Sequence, residues 1–316
     1  MEDNQVKKIS DSVYEFCKPD NPSVEIIFFH GIQMGEEDVS ELHLSTWTVK
    51  SEEADAPPEY WPQTFFAKDE HLTSKNISVR ALTARYDPSK YKTHNTGRLD
   101  LYNIAENFTH SIIDNNRVNV GLREGVPVIM VGHSFGGLVM KKLVDQVAEK
   151  ARLNGNHSKN LQKFLDNLKG LFYYSTPHLA LKDEVFQRLF PPGKSYSDLP
   201  KLLEELNKGA GRLHAVLTTY AKGHKIMVNE AFDVNNTDLG DNLEPIQIVT
   251  EASAGCGAES KLAISEDHFN VCRPRDVKSS NYQALANFIV KIVEREKAKK
   301  NSDAAGLDLP EVGRRR

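Results

Sequence analysis

The chain has 316 residues, of which 39% are hydrophobic, and this is enough to bury one large core. The formal net charge of −4 predicts no interaction with nucleic acid, which would need a basic surface. Three cysteines, at positions 17, 256 and 272, are too few and too scattered for a disulfide framework or a zinc site.

The amino terminus is acidic and has no apolar run, unlike a secretory or mitochondrial targeting segment. No run of about 18 apolar residues occurs that could span a bilayer. We therefore expect an intracellular, cytoplasmic protein in a reducing compartment, with no transmembrane segment. Peripheral contact with an organelle membrane is left open.

Runs of apolar and β-branched residues alternate with stretches of helical spacing along the chain. The runs predict strands at 12–17, 24–29, 77–82, 126–131, 170–174, 225–229 and 246–249. The helical spacing predicts helices at 99–113, 138–148, 161–168 and 281–295. Such alternation is typical of a mostly parallel, doubly wound α/β sheet.

One segment, 179–222, departs from this alternation. Its three short amphipathic stretches predict a small helical cap over the carboxyl edge of the sheet, and the alternative is that they cover a face of the sheet. Beyond about residue 297 the chain is charged and poor in apolar residues, which favours disorder. The sequence thus predicts one domain at 10–296, with the cap at about 179–222, and a disordered tail at 297–316.

The join between the strand at 126–131 and the helix after it reads Gly132-His133-Ser134-Phe135-Gly136. This is the G-x-S-x-G pattern of a nucleophile elbow, in which small neighbours allow a strained serine backbone. A phosphate-binding turn is the alternative. However, no Lys-Ser/Thr pair follows this turn, as a P-loop needs, and the turn has no G-x-G-x-x-G pattern. We therefore predict that Ser134 is a nucleophile.

A serine nucleophile needs a base, which in the matching chain order follows the last strand. Two histidines lie beyond residue 220, His224 and His268. The first precedes a strand and would lie at the opposite edge of a parallel sheet from Ser134. The second lies between the last strand and the last helix, so His268 is the predicted base.

The base in turn needs an orienting carboxylate from a strand end between the other two residues. Glu230 follows the strand at 225–229 and is the preferred acid. With this choice, the strands at 225–229 and 246–249 both have a place in the expected order of strands. Glu251 would make the short stretch 262–264 the final strand. Asp233 and Asp267 remain as further alternatives.

Acyl chemistry also needs two N–H donors for the oxyanion. We expect one to be the amide of Phe135, directly after the nucleophile at a helix amino terminus. The other should come from the turn after the strand at 24–29, where His30-Gly31-Ile32 follows, and we assign the amide of Ile32. A tight turn with no such role is the alternative.

Five segments together resemble the serine-active-site-containing protein family. They are Phe29-His30-Gly31, Trp47…Trp61-Pro62, Gly132 to Gly137, Ser175-Thr176-Pro177-His178 and Asp267-His268-Phe269-Asn270-Val271-Cys272. Family members are lipase-like α/β-hydrolases related to the inositol deacylases of GPI anchors. The resemblance implies Ser134 as nucleophile, His268 as base and Glu230 as acid, and it implies ester or lipid-acyl chemistry, in some members with phospholipid handling at organelle membranes.

The sequence therefore predicts a serine hydrolase that cleaves a carboxylic ester or a lipid acyl group through Ser134, Glu230 and His268 and an acyl-enzyme. Such chemistry needs no metal and no organic cofactor, and its substrate would be a small-molecule or lipid ester. Acyl transfer to an alcohol would use the same residues. The rival hypothesis is a catalytically silent ligand sensor or scaffold on the same fold.

Overall fold

The computed structural model describes residues 6–32, 41–50, 57–86, 101–113, 115–154, 158–179, 181–189, 199–240, 244–254 and 257–304. Its strands are β1 Lys7–Ser10, β2 Val13–Cys17, β3 Val24–Phe29, β4 Val79–Ala84, β5 Val128–His133, β6 Leu168–Tyr174, β7 Met227–Asp233 and β8 Ser260–Ile264. Its helices are α1 Leu42–Ser45, α2 Trp61–Lys68, α3 Glu70–Thr73, α4 Leu101–Phe108 (followed by a π-helical turn, Thr109–Ile113), α5 Phe135–Asn154, α6 Lys159–Asn167, α7 Asp183–Leu189, α8 Leu199–Gly223, α9 Glu251–Ala254 and α10 Ser280–Ala304.

The eight strands form one sheet in the order β1-β2-β4-β3-β5-β6-β7-β8. Strand β2 runs antiparallel to both β1 and β4, and every other neighbouring pair is parallel. An antiparallel start followed by a parallel sheet in this order is the α/β-hydrolase fold, so the predicted fold class is confirmed. The parallel part brings the carboxyl ends of β3, β5, β6, β7 and β8 to one edge.

Both faces of the sheet are covered, which explains why β3 and β5 are buried along their whole length. Helices α4, α5, α6 and α8 contribute to the core on one face, and α2 and α10 contribute on the other. Trp47 and Trp61 lie on the α10 face, fully buried, and the Trp61 indole donates to the carbonyl of Cys272 at 3.0 Å. This contact ties the segment after β3 to the chain after β8.

The last strands differ from the prediction. Strand β7 does not end at Asn229 but continues to Asp233, because Tyr174 of β6 and Ile264 of β8 pair with this extension. The apolar run at 246–249 is not a strand; its one ladder contact is an isolated bridge between Ile246 and Thr237. The short stretch at 262–264 belongs to β8 instead.

Two further differences concern helices. The second and third stretches of the predicted cap form one helix, α8, which packs against α5 and buries Leu217 and Ala221 in the core of that face. The described side chains of α8 therefore cover a face of the sheet, which was the alternative to a cap. Helix α10 continues through 297–304 of the predicted disordered tail, since the Lys and Ala residues there favour helix and Lys300 donates to the carbonyl of Gly125 at 2.9 Å.

Candidate functional site

Ser134 occupies a strained turn between β5 and α5. Its φ is +51°, in the left-handed region that non-glycine residues rarely adopt. Its amide donates to the carbonyl of Tyr174 on the neighbouring strand at 2.9 Å. Gly136 lies so close to β3 that an added Cβ would be 2.1 Å from the carbonyl oxygen of Phe29. The local geometry is that of a nucleophile elbow.

His268 meets Ser134 at the carboxyl edge of the sheet. Its Nε2 lies 2.9 Å from the Ser134 Oγ, although 134 residues separate the two along the chain. The loop that carries His268 follows β8, and the His268 amide donates to the Thr237 hydroxyl at 3.1 Å. The imidazole is almost fully buried. The structure thus brings together the two residues that the sequence predicted as nucleophile and base.

The carboxylate beside His268 belongs to Asp233 and not to Glu230. Oδ1 of Asp233 lies 3.3 Å from Nδ1 of His268, and Asp233 is fully buried. A proton on Nδ1 donated to this carboxylate leaves Nε2 free to accept the hydrogen of Ser134. Oδ2 of Asp233 has no hydrogen-bond partner among the described residues.

The prediction that Glu230 contacts His268 is therefore wrong. Residues 230 and 233 are three apart on β7, so their side chains leave the strand on opposite faces. Glu230 lies inside the strand opposite Tyr173, and its Oε2 is 2.9 Å from Nε2 of His178. Only Asp233 lies at the end of the strand, where the loop of His268 passes.

The other two alternatives for the acid lie elsewhere. Glu251 is exposed at the first residue of α9. Asp267 accepts hydrogen bonds from the amides of Phe269 and Asn270 at 2.9 and 3.0 Å. Asp267 therefore stabilises the turn after His268 rather than its imidazole.

The expected oxyanion donors flank Ser134. A Cβ added to Gly31 would lie 3.1 Å from the Cβ of Ser134, so the turn after β3 passes directly beside the nucleophile. Ile32 is the next residue of that turn, and Phe135 begins α5. The Ser134 amide already donates to the carbonyl of Tyr174. The amides of Ile32 and Phe135 are therefore the donors to consider.

Sequence reasoning assigned no role to His133, the second residue of the G-x-S-x-G pattern. Its Nε2 lies 2.8 Å from the carbonyl oxygen of His268, so an Nε2–H donates there. Burial, followed by the nearby His268, lowers the pKa of His133 well below its usual value, and the ring is neutral. His133 thus fixes the main chain of His268 through this hydrogen bond.

Sequence reasoning also missed a second group of buried polar side chains, which lies behind Ser134, His268 and Asp233. Lys141 on α5 lies with Nζ 2.5 Å from Nδ1 of His178, and His178 contacts Glu230 on the other side. Lys141 also reaches Nδ1 of His214 on α8 at 3.2 Å. Burial raises the pKa of Glu230 well above its usual value, while the Thr176 amide and then Lys141 oppose that rise. A lysine at helical spacing after the elbow is the one sequence signal for this group.

Together these contacts define the chemistry that the edge of the sheet can perform. A serine hydroxyl, an imidazole and a buried carboxylate stand in hydrogen-bond order. This arrangement can transfer the hydroxyl proton to the imidazole and expose an oxygen nucleophile. Within the described ranges, no group of three His, Cys, Asp or Glu side chains is placed to hold a metal ion.

The fold and this site define the protein as a chain with the α/β-hydrolase fold and a Ser-His-Asp constellation. No protein-family model matches the sequence. The chain is similar to Protein SERAC1 of Mus musculus, with 24% identity over 301 residues, which is 92% of this chain and 43% of that protein. The chain is also similar to Protein SERAC1 of Danio rerio, with 25% identity over 307 residues, which is 90% of this chain and 42% of that protein. The chain spans less than half the length of these curated relatives.

Two solved structures illustrate the similarity in fold. A lipase from Bacillus licheniformis, BlEst2 in its mature form, shares 13% identity with a TM-score of 0.42, covering 88% of this chain and 97% of the other. The phospholipase PlaB from Legionella pneumophila, in complex with thio-NAD, shares 15% identity with a TM-score of 0.48, covering 88% and 64%. Among the described residues, no helix is both long and apolar enough to cross a bilayer.

Proposed function

We propose that the protein is a serine hydrolase that cleaves a carboxylic ester or a lipid acyl group. The observation that carries this proposal is the contact of 2.9 Å between the Ser134 hydroxyl and Nε2 of His268. Asp233, at 3.3 Å from the other imidazole nitrogen, completes the order that activates a serine.

In the proposed reaction, Oγ of Ser134 attacks the ester carbonyl carbon while His268 takes the hydroxyl proton. Asp233 holds the imidazole in the tautomer that can accept this proton. The amides of Phe135 and Ile32 donate to the oxyanion, each contributing roughly 3 to 4 kcal/mol to the transition state. His268 then protonates the leaving alkoxide, and water attacks the acyl-enzyme in the second half of the reaction.

A fluorophosphonate probe tests the mechanism, because it phosphonylates only a serine that a base activates. We expect the wild-type protein to be labelled and Ser134→Ala and His268→Ala to remain unlabelled. His224→Ala is the matched control, since His224 is exposed at the opposite end of β7 and should leave labelling unchanged. Absence of labelling in the wild type would favour a silent sensor or scaffold.

The acyl group is identified by p-nitrophenyl esters of graded chain length. If the substrate is a lipid ester, kcat/KM should rise with the length of the acyl chain, as more apolar surface is buried. A preference for short chains would remove the lipid part of the proposal and leave the mechanism standing. Product analysis in the presence of an alcohol would distinguish acyl transfer from hydrolysis.

A further inference from the structure

One turn contacts both the nucleophile and the acid. We call the residues from Tyr174 to His178, at the carboxyl end of β6, the β6 turn. The Ser134 amide donates to the carbonyl of Tyr174, and the Asp233 amide donates to the Ser175 hydroxyl, each at 2.9 Å. Together with the ladders of β6 to β5 and β7, this turn therefore helps to fix where the backbones of Ser134 and Asp233 lie relative to each other.

The β6 turn is itself strained and closely packed. Ser175 has a φ of +45°, which costs free energy unless surrounding contacts hold it. Thr176 lies against α5 so tightly that a Cβ added to Gly137 would be 2.1 Å from its hydroxyl oxygen. A turn of this kind needs anchors to keep its geometry.

The anchors come from the chain of side chains Lys141–His178–Glu230. Lys141 and Glu230 belong to α5 and β7, and His178 is the last residue of the β6 turn. All three are buried, and Glu230 also accepts from the amide of Thr176 at 3.3 Å. The turn is thus held at two points by Glu230, and at one of these the contact continues to Lys141.

The donors and acceptors along Lys141, His178 and Glu230 have one consistent order. A lysine ammonium has donors only, so Nδ1 of His178 accepts and its Nε2–H donates to Glu230. Burial, followed by the charge of Lys141, lowers the pKa of His178 well below its usual value. A neutral imidazole therefore joins the Lys141 ammonium on α5 to the Glu230 side chain on β7.

We propose that Lys141, His178 and Glu230 are positioning residues for the triad, acting through the β6 turn. This inference rests on the proposed function, since it concerns how the serine and the acid are held for that reaction. The three residues touch neither Ser134 nor His268 in any hydrogen bond that the structure shows, and they act on the backbones of Ser134 and Asp233. Through His214, the same lysine also holds helix α8 against this site.

The test compares Glu230→Gln with Glu25→Gln. Glu25 is an equally buried carboxylate of the same sheet, paired with Arg80 at 2.8 Å on β4, far from the carboxyl edge. Both substitutions replace a buried carboxyl group that accepts hydrogen bonds from buried donors, and both should destabilise the fold. We expect only Glu230→Gln to lower kcat per folded molecule, by about 10- to 100-fold, because a misplaced catalytic group has an effect of that order. KM should change little in both variants.

The double variant Lys141→Met with Glu230→Gln separates positioning from folding. It removes the buried ammonium together with the carboxyl group, and it should recover part of the stability that Glu230→Gln loses. Its kcat should stay low, because the β6 turn has still lost its anchor. A kcat equal to that of Glu25→Gln in both the single and the double variant would overturn the inference.

A readout that does not depend on activity keeps this test separate from that of the proposed function. The backbone amide signals of Ser134 and Asp233, seen by NMR, report their hydrogen bonds to the β6 turn. In Glu230→Gln we expect both amides to shift and to exchange faster with solvent, and in Glu25→Gln we expect neither change. If the wild type reacts with no fluorophosphonate and no ester, the proposed function fails, while unchanged amides in Glu230→Gln would still refute the positioning role.

Discussion

The carboxylate of Asp233 lies 3.3 Å from Nδ1 of His268, across a gap of 35 residues in the chain. This contact places the carboxylate that ends β7 beside the imidazole, three positions after the glutamate that the order of predicted strands favoured. A substitution at Asp233 should therefore lower the activity more than a substitution at Glu230.

Asp233→Asn should lower kcat by about 10⁴-fold, because the amide would hold His268 in the tautomer that cannot accept the serine proton. Ester hydrolysis and the rate of fluorophosphonate labelling both measure this loss. Asp238→Asn serves as a control, since Asp238 is exposed in the loop after β7. Full activity in Asp233→Asn together with inactive Glu251→Gln would contradict the assignment.

His133→Leu should weaken both stability and labelling. The substitution leaves the buried carbonyl of His268 without the donor that now lies 2.8 Å away, at a cost of about 1–3 kcal/mol. His133→Gln keeps an N–H near the position of Nε2 and should lose less. Urea unfolding and the labelling rate measure the difference, and equal effects in the two variants would show that the hydrogen bond has no role.

Stability should fall as the pH drops below about 6.5, the ordinary pKa of histidine in an unfolded chain. Burial lowers the pKa of both His133 and His178 in the folded protein, so unfolding takes up a proton from solution at each. Glu230 opposes them in part, because burial raises its pKa in the folded protein. Burial, followed by the charge of Lys141, also lowers the pKa of His214, to about 4. Three histidines against one carboxyl group predict a net uptake of protons on unfolding, so the free energy of unfolding should slope downward as the pH falls.

Urea unfolding between about pH 7.5 and about pH 5.5 measures this slope. His133→Gln removes one of the three histidines and should make the slope shallower. His224→Gln, at an exposed position, should leave it unchanged. A wild-type free energy of unfolding that is constant over this range would refute the prediction.

Gly136→Ala should prevent the elbow from forming. The added methyl group would lie 2.1 Å from the carbonyl oxygen of Phe29 and 2.5 Å from that of His30, and backbone atoms cannot give way as a flexible side chain can. Gly209→Ala makes the same change in α8, where nothing lies within 4 Å, and should stabilise the helix by about 1 kcal/mol. Melting temperatures compare the two, and a folded, active Gly136→Ala protein would mean that β3 is not so close to α5.

Much of the site could be predicted from the sequence because its signals are local. The apolar run into Gly132 and the helical spacing after Gly137 place Ser134 at a strand-to-helix turn without any knowledge of other contacts. His268 could be predicted from chain order and from its loop between the last strand and the last helix. The structure places its imidazole on the Ser134 hydroxyl.

The acid could not be chosen in this way. Where β7 ends depends on its hydrogen bonds to β6 and β8, which come from segments remote in sequence, and four residues after Asn229 pair as strand. The run at 246–249 has the composition of a strand, but among the described residues its ladder pairing is an isolated bridge from Ile246 to Thr237. Composition predicts that a segment can be a strand, and only the assembled sheet decides where the strand stops.

What the sequence by itself determined is therefore the parallel sheet, the elbow with Ser134 and the loop of His268, because each follows from periodicity, glycine spacing or chain order. The tertiary structure alone decided that Asp233 faces the base and that Glu230 faces His178 and Lys141. The physical reason is that a side chain's partner depends on the end and the face of its strand. Both are set by residues that come from elsewhere in the chain.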